Sequence, residues 1–149
     1  MWISEIVERT IIQTMASLDV TFRASRVDDD ESAPTERKKY PCMTIVAAGG
    51  STTTIESLFD IVECVVSITT HYEDDPKRTV LARLGDEFRT ILDKPIATST
   101  LKTAFDAIAL AAGETRYFKG LTEIDGGMPD LSNTEQTIMT TMKFRICGA

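Results

Sequence analysis

With 149 residues, 42% of them hydrophobic and 26% charged, the chain has enough apolar material to bury a core without cross-links and falls in the size range of one globular domain, residues 1–149. Its formal net charge of -7 repels phosphate on average, which disfavours tight nucleic-acid binding. Cys42, Cys64 and Cys147 are odd in number and lack CxxC spacing, which argues for reduced thiols rather than a disulfide framework or a zinc ribbon.

The segment Met1-Trp2-Ile3-Ser4-Glu5-Ile6 has an acid where a secretory leader carries positive charge, and no apolar run approaches the roughly 20 residues that span a bilayer. This predicts a chain made and kept in the cytoplasm, with no membrane partner. Over residues 3–18, Ile3, Ile6, Val7, Ile11, Met15 and Leu18 recur at spacings of three and four, with Glu5, Glu8, Arg9 and Gln13 between them. That spacing predicts an amphipathic first helix. Val20-Thr21-Phe22-Arg23 is a short strand candidate. Beyond it Asp28, Asp29, Asp30 and Glu31, then Pro34, then Glu36, Arg37, Lys38 and Lys39 form a polar run without periodicity, which predicts a long mobile loop over residues 24–39. Its acids precede its bases; it reads either as a solvated loop or as a contact that folds on binding.

Residues 40–47, YPCMTIVA, are rich in β-formers and begin with a proline suited to a strand's start. Gly49-Gly50 and the hydroxyl run Ser51 to Thr54 then predict a turn or hairpin tip. A phosphate loop is excluded: GKS, GKT and GxGxxG are all missing, and a strand follows where a helix N-terminus would be needed.

The strand over residues 58–70 organises the chain. Val62, Cys64, Val66 and Ile68 form one wholly apolar face, which predicts helices packed on it. The other face mixes Phe59, Ile61 and Val65 with Glu63, Ser67 and Thr69, more apolar than solvation requires. Either another element of the chain or a neighbouring subunit would cover it. After His71-Tyr72-Glu73-Asp74, Asp75 is placed to cap a helix and Pro76 to occupy its first position. That helix carries Val80, Leu81, Leu84, Phe88, Ile91 and Leu92 on one stripe and ends before Pro95. Gly85 falls within the stripe, where it costs about 1 kcal/mol relative to Ala unless helix and sheet approach closely. A third helix has Ser99 as cap, Leu101, Ala104, Phe105, Ile108 and Ala112 as buried side, and Gly113 as stop. Its alanine-rich flanks fit tight packing or a further interface.

Residues 115–124 and 134–147 predict two closing strands around Asp125-Gly126-Gly127-Met128-Pro129-Asp130. In the last, Ile138, Thr140, Met142, Phe144 and Ile146 share one face, and Thr137, Met139, Thr141, Lys143 and Arg145 the other. The predicted fold is therefore α+β: a single, mostly antiparallel sheet of about four to five strands with helices mainly on one face.

The residues offer little chemistry. His71 is the sole histidine, so no catalytic pair can be built on a second one. With Glu73, Asp74 and Asp75 it reads as a strand end and helix cap, or as a weak Mg²⁺ or Ca²⁺ site, but not as zinc. No G-x-S-x-G, HExxH or EF-hand pattern occurs, and no cofactor motif. The reading is of a protein that is not an enzyme. An enzyme using His71 would require a concave site around it, and a small ligand-binding or regulatory α+β dimer would require a closed apolar pocket.

The Tyr40-Pro41 strand start, the block FDIVECVVSITTHYEDDPKR with the helix LARLGDEFRTIL, and the closing TEQTIMTTMKFRI after an acidic loop resemble the tail terminator, or tail completion, proteins of long-tailed bacteriophages. The likeness spans nearly the whole chain; the helix over 99–112 and the charged loop from Asp28 depart from it. The resemblance implies a structural virion protein, made in the host cytoplasm. It would form a hexameric ring of identical subunits on the last ring of the tail-tube protein, stop tail growth, and meet the head connector or stopper, while genomic DNA passes through the lumen unheld. A head completion, connector-stopper or other neck protein is the nearest alternative. For such a subunit, Phe59, Ile61, Val65, Met139 and Thr141 are the candidate lateral contacts. The candidate docking loops carry Asp28, Asp29, Asp30, Glu31, Arg37, Lys38 and Lys39 in one and Asp125, Met128 and Asp130 in the other.

Overall fold

The computed structural model describes residues 1–16, 23–26, 41–52, 59–93, 99–127, 130–131 and 134–147. Its elements in chain order are α1 (Ile3–Ala16), β1 (Arg23–Arg26), β2 (Cys42–Thr52), β3 (Phe59–His71), α2 (Thr79–Leu92), α3 (Thr100–Ala111), β4 (Tyr117–Gly126), β5 (Asp130–Leu131) and β6 (Glu135–Cys147). The fold is α+β with one sheet. Its strand order is β1-β2-β3-β6-β4, with β5 also on β6. β2 with β3, β3 with β6, and β4 and β5 with β6 are antiparallel, while β1 runs parallel to β2.

Alternation along the strands sets the layering. Met43 and Ile45 of β2, Val62, Cys64, Val66 and Ile68 of β3, Phe118 of β4, and Met142, Phe144 and Ile146 of β6 are buried on one face. The helices bring Ile6, Val7, Ile11 and Met15 (α1), Leu81, Leu84 and Phe88 (α2), and Leu101 and Phe105 (α3) to the same core. Phe118 links the layers: its ring lies 6.1 Å from Phe105 and 5.5 Å from Phe144, both tilted, as aromatic quadrupoles prefer. All three helices thus occupy one side of the sheet.

Four local expectations are corrected. Of the expected short strand, residues 20–22 lie outside the described residues; a strand is found at Arg23–Arg26, so Ala24, Ser25 and Arg26, expected in the loop, pair with Met43, Thr44 and Ile45. An edge strand needs only backbone partners, and its polar side chains carry no signal for that. The rest of the expected loop, residues 27–39, lies outside the described residues. Gly49-Gly50 do not turn the chain; they lie in β2, where the register with β3 shifts between Ala48 and Ser51, a bulge that glycine tolerates. Pro76 does not open α2, which begins at Thr79 after Arg78 adopts left-handed φ 57°. Glu8, expected between the apolar positions of α1, is buried with Thr10 and Thr14. α1 is enclosed on two sides, by the sheet and by α3, so its buried arc is wider than one stripe.

The predicted third helix is found with Ser99 as its cap, the serine hydroxyl accepting from the Lys102 amide at 3.4 Å. Gly113 follows at φ 73°, the left-handed geometry that ends helices.

Candidate functional site

Whatever alternation buries on one face, it presents on the other. Reading across the register, the open face forms rows: Cys42, Thr69, Thr137 and Asp130; Thr44, Ser67 and Met139; Val46, Val65, Thr141 and Asp125; Ala48, Glu63, Lys143 and Thr122; Ser51, Ile61, Arg145 and Gly120. Among the described residues no helix packs on this face. Met139 is 49% exposed and Val46 42%, while Ile61 and Val65 are half-buried by their neighbours. The Thr69 and Thr137 hydroxyls meet at 3.0 Å, and Lys143 reaches the Glu63 carboxylate at 3.7 Å. The centre therefore carries Val46, Val65 and Met139 among the hydroxyls of Thr44, Ser67 and Thr141, with one end hydroxyl-rich and the other charged.

Of the predicted contacts, Ile61, Val65, Met139 and Thr141 come together on this face. Phe59 holds register opposite Cys147, but its side chain lies outside the described residues. Asp125 and Asp130 border the same face, paired with Thr141 and Thr137. Asp28, Asp29, Asp30, Glu31, Arg37, Lys38, Lys39 and Met128 also lie outside the described residues. Val46 was not singled out, although the alternation Cys42, Thr44, Val46 against Met43, Ile45, Ala47 carries the signal.

The register of β4 with β6 shifts between Thr122 and Asp125, and beside it an open hollow of about 340 Å³ is lined by Glu63, Cys64 and Val65 of β3, Thr141, Met142 and Lys143 of β6, and Asp125 of β4. Its charged rim and open mouth differ from the closed apolar pocket that a small ligand favours. No family model matches the chain, and no curated protein does.

The HxEDD cluster resolves into a turn. His71 Nδ1 accepts from the Glu73 amide at 3.2 Å, and Asp75 turns inward to accept from the Val80 and Leu81 amides. Among the described residues, no group of three or more His, Cys, Asp or Glu is placed to hold a metal ion. Nor is any described helix long and apolar enough to cross a membrane.

The thiols differ in environment. Burial, and then the charge of Glu8, push Cys64 up to about 12, so it stays a neutral core group. Tyr117, at the end of β4 opposite Cys147, is raised above the usual phenol range by its hydrogen bond to Cys147, then by that group's charge and by burial. Lys102, 5.9 Å from the ring centre, pulls it the other way.

Proposed function

We propose that this chain is a structural subunit of a phage tail: a tail terminator that closes into a hexameric ring on the last ring of tube protein, ends its polymerisation and offers a surface to the head connector. The observation that carries the reading is the sheet face that no described helix packs on, with Val46, Val65 and Met139 at its centre. A subunit that worked alone would gain by making these positions polar; a ring subunit needs them for its neighbour.

Charge supports the same reading. Each copy contributes -7, so a ring concentrates negative potential around its opening, and DNA is repelled from the wall rather than held. Asp125 and Asp130, exposed at the border of the open face, are the described acids in the expected docking region. The proposal involves no catalytic step and no cofactor.

The test is to add the purified chain to polymerising tail-tube protein and image the product. Tubes of arrested length with a cap of extra density at one end are expected. Elongation at the unaltered rate, with bare tube ends, overturns the proposal. Capping of the completed head connector instead of the tube assigns the chain to the head side of the neck.

A further inference from the structure

We draw no further inference here: the strongest candidate, the open hollow on the sheet face beside the register shift of β4 with β6, belongs to the face already described, its Lys143 already reaches Glu63, and nothing in the structure shows what fills it.

Discussion

Asp75 shows how much one buried carboxylate organises. Its Oδ1 accepts from the Val80 amide at 3.1 Å, and its Oδ2 accepts from the Leu81 amide at 3.0 Å and from the Thr70 hydroxyl at 3.4 Å. It thus caps α2 from three residues before the usual cap position, where Arg78 makes no side-chain bond. Asp75→Ala leaves two helix amides without their acceptor and is expected to cost about 2–3 kcal/mol, read as a lower urea midpoint at unchanged slope. A second residue reverses an expectation. Gly85 sits in the apolar stripe of α2, where close helix-to-sheet approach would account for it, yet a methyl group added there would meet Ile138 Cδ1 at 3.5 Å, an ordinary contact. With room for the methyl, helix propensity decides, and Gly85→Ala is expected to stabilise the protein by about 0.5–1 kcal/mol. A lower melting temperature for this variant would restore the packing explanation.

Among the elements, the connection from α3 to β4 is held by a local clasp. Glu114 accepts from the Arg116 guanidinium at 2.9 and 3.0 Å and from its amide at 3.1 Å, and its own amide donates to Ala109 at 2.8 Å. Hydrogen bonding to the Arg116 side chain, partly offset by burial, lowers the Glu114 carboxyl from 4.5 to about 2. A depressed carboxyl contributes stability above its unfolded value and loses it as pH falls through its folded value, so the contribution fades between about 4.5 and 2. Because the pair lies near solvent, Glu114→Gln is expected to cost no more than about 1 kcal/mol at neutral pH. Urea titrations of parent and variant should converge as the pH approaches 2; a gap that persists there would show that packing rather than charge is lost.

Element positions were legible where side-chain period and capping chemistry agreed. The stripes of α2 and α3, Ser99 as a cap, and the two phases of β3 and β6 all follow from spacing, because a buried face selects apolar side chains one by one. The misreadings have a common cause: the deciding partner is distant in sequence. Arg23–Arg26 is a strand because β2 offers it a backbone edge, and Gly49-Gly50 continue β2 because β3 lies alongside. Glu8 is buried, with its charge felt by Cys64 of β3, because α1 is enclosed by the sheet as well as by α3. No local pattern encodes a neighbour that arrives from elsewhere in the chain.

For the whole molecule, the amino-acid order by itself determined the α+β class, the core face of the sheet and the negative net charge, since composition and period-two alternation are properties of the chain alone. It also marked Ile61 and Val65 as surplus to that core, while leaving open whether the chain would cover them itself. Only the tertiary structure decided this. Strand pairing sets Val46 beside Val65, with Met139 in the next row opposite Ser67, and the placement of α1, α2 and α3 on the other side leaves these residues on the face that no described helix packs on. The reason is geometric. Alternation tells which side chains share a face, but whether anything lies over that face depends on where the connections carry the helices, and that emerges only when the strands have paired.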